Sequence, residues 1–243
     1  MKLTKKQEFL CKKLKLEKPE EKIIEYIKKF NKDFKIDEDA VKKVFDEKVL
    51  DYSSIDNILI KVIILNNRYR TRLNDSNTDK KGIMPSVTQV AECILKYENK
   101  GRFSNCGTIE QVVELVEDFR KEFIDNNEPY SFITKYCSFR LPDLDVPIVD
   151  GYVKGLLYYY QFSDEIDDSY SQPKFGEYKE FCNAYDSFIK RHRLCELEYN
   201  SRKLTIKDID KYLWLYAKEK EKEWVSDYRE SQKNDNVEFS IAI

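Results

Sequence analysis

Residues 131–153 read SFITKYCSFRLPDLDVPIVDGYV. Lys135 lies in a short helical pattern, Tyr130–Phe139, that follows Asn126, Asn127, Glu128 and Pro129. A proline-bounded turn spans Arg140–Pro147, and Val146-Pro147-Ile148-Val149-Asp150 then leads into a new helical pattern running to about Phe162. Aspartate is a favoured residue at a helix start, so Asp150 is expected at the head of that helix.

Working outward, helical periodicity continues on both sides. Upstream, Thr108 with Gln111 and Ser86 with Gln89 each form a capping-box pattern. The helix after Thr108 carries Ile109, Val112, Val113, Leu115, Val116, Phe119 and Phe123. The polar loop NDSNTDKKGIMP precedes Ser86. Before it, Ile55 to about Leu73 holds Ile58, Leu59, Ile60, Val62, Ile63, Ile64 and Leu65 in near-continuous order. A helix apolar on most sides is expected at the centre of a bundle. Three shorter helices are expected before that: Lys5–Leu14, one after Pro19 with Ile23, Ile24, Tyr26, Ile27 and Phe30, and one from about Asp37 with Val41, Val44 and Phe45. Downstream, two long charged helices are expected over Phe175–Tyr199 and Thr205–Gln232, with a frayed final ten residues.

Composition agrees with an all-α fold. The 243 residues include only 6 Gly and 6 Pro, too few for the many tight turns of a barrel or sandwich. Aromatic content is 14%, with 17 Tyr and 14 Phe, which argues for a folded core. Acids and bases nearly cancel at a formal net charge of -2, so any nucleic-acid contact has to come from local charge. No apolar run approaches the roughly 20 residues needed to span a bilayer. The lysine-cut N-terminus reads as neither signal peptide nor anchor, and a cytoplasmic protein without a membrane partner is expected. The six cysteines, Cys11, Cys93, Cys106, Cys137, Cys182 and Cys195, form no CxxC pair, and His192 is the only histidine. A zinc site, an iron–sulfur loop and any other cofactor are therefore not expected, and the thiols should be reduced and mostly buried.

The segment 131–153, taken with ILNNRYRTRL at residues 64–73, resembles the helix-hairpin-helix DNA glycosylase superfamily. By that resemblance Lys135 takes the position of the nucleophilic lysine of bifunctional members, and Asp150 that of the family's aspartate near a helix start. Asn66, Asn67 and Arg68 fall where the family's buried helix ends in polar residues at the flipped-out nucleotide. DIDKYLWLYAK, residues 208–218, becomes a packing helix of the second lobe. The implied fold is two helical lobes with a cleft between them: residues 51–142 in one, and 1–50 with 143–243 in the other. The chain departs from the pattern in three places. Asn126–Ser131 contains no Gly where the family's phosphate-binding hairpin has two. The interval from Lys135 to Asp150 is a few residues shorter. The iron–sulfur loop is missing.

The resemblance implies removal of a modified or damaged base from DNA. Breaking an N-glycosidic bond builds positive charge at C1′, which a nearby carboxylate stabilises. A lysine attacks that carbon only as the free amine, so a desolvated position suits it. The Schiff base so formed would permit strand cleavage. The extruded base needs a pocket, for which Tyr69, Tyr136, Phe139 and Tyr152 are candidates. Lys190, Arg191 and Arg193 are candidate contacts to the DNA backbone, or else, with His192, a solvated helix face. Each candidate has a plainer reading: Asp150 as a helix cap, Asn66 and Asn67 as the end of a core helix. Trp214, Trp224 and most of Tyr158–Tyr160 read as packing, and Asp164–Asp168 as a solvated loop. The rival function is a catalytically silent DNA-associated or partner-binding module, such as one in host defence.

Overall fold

The computed structural model describes residues 16–74, 84–123, 129–163 and 177–234. The expected first helix, Asn126 to Glu128, and the acidic stretch 164–168 lie outside them. The described residues form α1 (Pro19–Phe45), α2 (Ile55–Tyr69), α3 (Val87–Asn99), α4 (Ile109–Lys121), α5 (Tyr130–Arg140), α6 (Gly151–Ser163), α7 (Tyr178–Arg191) and α8 (Ile206–Asn234). A 3-10 turn at Leu194–Glu196 and two short strands, β1 (Glu198–Tyr199) and β2 (Arg202–Lys203), separate the last two helices. The fold of the described residues is mostly helical, as expected.

Local chemistry explains most boundaries. Pro19 and the acidic Glu20 and Glu21 open α1. The two helices expected over this region are one, because no Gly or Pro interrupts residues 20–45. Ser86 and Thr108 make the expected capping boxes with Gln89 and Gln111. The helix expected over 175–199 ends instead at Arg191, and Arg193 follows in left-handed backbone with φ 51°. Asn200 and Ser201, with φ of 53° and 60°, then form the two-residue turn of an antiparallel hairpin pairing Glu198 with Lys203. Thr205 and Asp208 cap α8 reciprocally, at 3.1 and 3.3 Å.

α1 packs along α8, with Tyr26 edge-on to Tyr212 and Tyr216, and Phe30 and Phe34 against Trp214. α8 in turn packs on α6, and α6 on α7. α2 packs on α3, and α4 on α5. α5 also touches α2; the two groups meet where α1 touches α2 and α5 and where α4 touches α7, and one continuous apolar core runs through both. α2 is not buried on most sides. Ile58, Val62 and Leu65 face the core, whereas Ile60 and Ile63 are 42% and 39% exposed. The fully buried position between these faces belongs to a charged residue, Lys61.

No described helix is long and apolar enough to cross a membrane. Among the described residues no His, Cys, Asp and Glu group could hold a metal ion. The described cysteines are all free; Cys137 is buried, Cys195 exposed, and the others lie between.

Candidate active site

The Val146–Asp150 segment runs extended into α6 and is tied down almost residue by residue. The Tyr178 hydroxyl donates to the Pro147 carbonyl at 2.7 Å. The Ile148 amide donates to Asp210 Oδ2 at 3.3 Å, and the Val149 amide to Thr134 Oγ1 at 3.1 Å. Thr134 in turn donates back to the Tyr130 carbonyl within α5. Neighbouring elements α5, α7 and α8 thus fix where α6 begins.

Asp150 sits at that beginning. Its Oδ1 accepts the Tyr152 amide at 2.9 Å, and its carbonyl accepts the Lys154 amide at 2.9 Å. Its Oδ2 is left for Lys135, whose Nζ lies 3.1 Å away and also donates to Ser131 Oγ at 2.6 Å. Ser131 precedes Lys135 by four residues, one turn along α5, so both project on one side of the helix. The two charged side chains are 5% and 16% exposed, which makes the contact a largely desolvated ion pair rather than a surface bridge.

A second carboxyl stands behind the pair. Asp210, on α8, accepts the Tyr185 hydroxyl at 2.8 Å on Oδ1 as well as the Ile148 amide on Oδ2. Burial pushes it up to about 8; the donors Tyr185 and Ile148 oppose that shift, the charge of Asp150 adds to it, and Lys135 draws it down. Sequence reading placed this residue in a packing helix. Its signal was available: Ile209, Leu213 and Tyr216 mark the buried stripe of α8, and an aspartate occupies a position within it.

The other candidates separate from this centre. Asn66 is buried and its amide is fully engaged: Oδ1 accepts from Thr71 Oγ1 at 2.8 Å and the Leu73 amide at 3.0 Å, while Nδ2 donates to the Leu73 carbonyl. It clamps the chain after α2. Asn67 is exposed, and Arg68 pairs with Asp37 on α1. Tyr136, one residue past Lys135 and therefore turned about 100° away on the helix, is fully buried among Phe45, Phe103 and Phe132. It belongs to the core. Phe139 lies between Phe45 and Tyr69 at the far end of α5. Tyr152 is half-buried beside Asp150.

The basic run at 190–193 is largely neutralised. Lys190 pairs with Asp186 at 2.5 Å and Arg193 with Glu196, and Arg191 is exposed beside them. His192 is no part of a solvated face; its ring packs on Phe188 and Tyr160, and Nδ1 lies 3.2 Å from Glu20. Sequence reading passed over Arg70 and Arg72. Both are exposed and both hold left-handed backbone, with φ of 48° and 67°. Thr71 between them turns inward onto Asn66, so the two guanidinium groups stand on a clamped arch.

Residues 22–144 match the HI_0787_N family, described as an N-terminal domain. A Haemophilus influenzae protein described as uncharacterized is 29% identical over 173 residues, 70% of this chain and 71% of that one. No solved structure matches the chain.

Proposed function

The chain belongs to the HI_0787_N family; from the contact between Lys135 and Asp150, and not from that membership, we propose that it is a glycosylase-like enzyme of helix-hairpin-helix type, excising a modified base from DNA at these two residues. The observation that carries this reading is the 3.1 Å contact between a desolvated lysine and a carboxylate at a helix start. Asp150 takes the proton that leaves Lys135 as a free amine. The amine attacks C1′, the glycosidic bond breaks, and the base departs with its electron pair and picks up a proton. Ring opening then gives a Schiff base, from which β-elimination cuts the strand. The lobes of this reading are residues 51–142 and the two chain ends, and the contact between Lys135 and Asp150 joins one to the other. Arg70 and Arg72 are better suited to its phosphates than Lys190 and Arg193, which already have acidic partners.

The test is incubation with duplexes carrying a panel of modified bases, followed by borohydride reduction. The expected result is a covalent adduct that Lys135→Ala abolishes, and base release that Asp150→Asn reduces by about 100-fold or more. No adduct and no release from any duplex overturns the proposal.

A second reading takes the same pair as structural. The Lys135 ammonium is held by two partners and is 5% exposed, which suits a module that binds DNA or a protein partner without chemistry. It predicts salt-dependent DNA binding that Arg70→Ala with Arg72→Ala weakens, with no adduct.

A further inference from the structure

Asp210 offers more than the sequence resemblance assigns. It reaches the segment before α6 from α8, and its two oxygens serve two different elements. The Ile148 amide it holds is two residues before Asp150. A structural acceptor at this place needs no ionisable group, since an amide oxygen binds a backbone N–H equally well. The protein instead buries a second carboxyl beside an ion pair.

We propose that Asp210 is a positioning residue for Lys135 and Asp150: it fixes the 146–150 segment so that Asp150 meets the amine, and its own ionisation sets how firmly the ammonium keeps its proton. This rests on the reading of Lys135 and Asp150 as the reactive pair. As a neutral acid, Asp210 leaves Asp150 as the single negative charge at Lys135. Once ionised, it adds a second negative charge near one ammonium, without touching it, and opposes release of the proton. The groups facing it are Tyr185, Tyr178 and Cys182 from α7, the Ile148 amide, Asp150 and Lys135. Burial pushes Asp210 up to about 8, so the change falls close to neutral pH.

Asp210→Asn keeps the geometry: its amide oxygen accepts from Ile148 and its amine donates to the Tyr185 oxygen. Asp210→Ala removes both contacts. Two measurements on the full chain test the idea. In the borohydride assay, the wild-type rate against pH bends downward near pH 8, the value to which Asp210 is raised. Asp210→Asn lacks the bend and stays within about threefold of wild type at neutral pH, while Asp210→Ala falls about tenfold or more at every pH. In carbon NMR of Cε-labelled lysine, assigned with Lys135→Arg, the Lys135 resonance shows a step near pH 8 that Asp210→Asn abolishes. A step without any adduct in any protein keeps Asp210's role at the pair and sinks the enzyme reading alone. An unchanged resonance, or identical rate profiles for wild type and Asp210→Asn, overturns the inference itself.

Discussion

Lys61 and Lys135 are both lysines on core-facing helix positions, at 0% and 4% exposure, and they are answered in opposite ways. Lys135 meets a carboxylate and a hydroxyl. Lys61 meets backbone and an aromatic face: its Nζ donates to the Leu50 and Asp51 carbonyls at 2.5 and 2.8 Å and lies 3.9 Å from the centre of the Tyr52 ring. That ring also takes the Arg140 guanidinium at 4.0 Å, and Arg140 is bound by Glu98. Lys61 therefore tethers the connection between α1 and α2, with carbonyl dipoles and an aromatic face in place of a counter-ion. Burial lowers its proton affinity to about 8, with Asp51 and Glu98 working against the shift. One lysine is a structural tether, and the other is half of a charge pair. The difference teaches that burial alone does not say how a lysine is held; the partner does.

Methionine at each position tests this most sharply. Lys135→Met leaves the Asp150 carboxylate buried without its cation and should cost about 3–5 kcal/mol in urea unfolding. Adding Asp150→Ser, which keeps a cap on α6, should recover much of that loss. An equal loss in both variants would show that Asp150 does not need Lys135. At the tether no charge is orphaned. Lys61→Met should cost about 1–2 kcal/mol for the two carbonyls, and Lys61→Ala about 3 kcal/mol because a cavity is added. A Lys61→Met variant as unstable as Lys135→Met erases the distinction.

The smallest effect is one of pH. Lys61 binds its proton less tightly when folded than when unfolded, so the unfolded chain holds more protons above about pH 8. Wild-type stability should therefore rise with pH, relative to Lys61→Met, between about 8 and the ordinary lysine value of 10.5, by about 1 kcal/mol or more. A flat difference across that range contradicts a charged, counter-ion-free Lys61.

The helices were legible because caps and stripes are local. Ser86 with Gln89 and Thr108 with Gln111 start α3 and α4 where their spacing says. The reading failed where tertiary packing decides. Nothing local says that Ile60 and Ile63 face outward while Lys61 goes in, because carbonyls from the preceding connection make that exchange favourable. The contact between Lys135 and Asp150 was legible through the resemblance and the turn between them. The burial of Tyr136 was not legible, because abundance of aromatics does not say which face each occupies. Asp210 was missed because it falls in a stretch read only as a packing helix, where nothing local says that its acid goes inside.

The stretch shared with the family stops at residue 144, and the α5–α6 junction lies across that boundary. A fragment trimmed to the shared stretch would keep the amine of Lys135 and discard both of its acids, and would leave the aromatic side of α1 without α8 to cover it. The seam visible in sequence coverage is therefore stitched shut in three dimensions. The part after residue 144 completes the shared stretch rather than being appended to it.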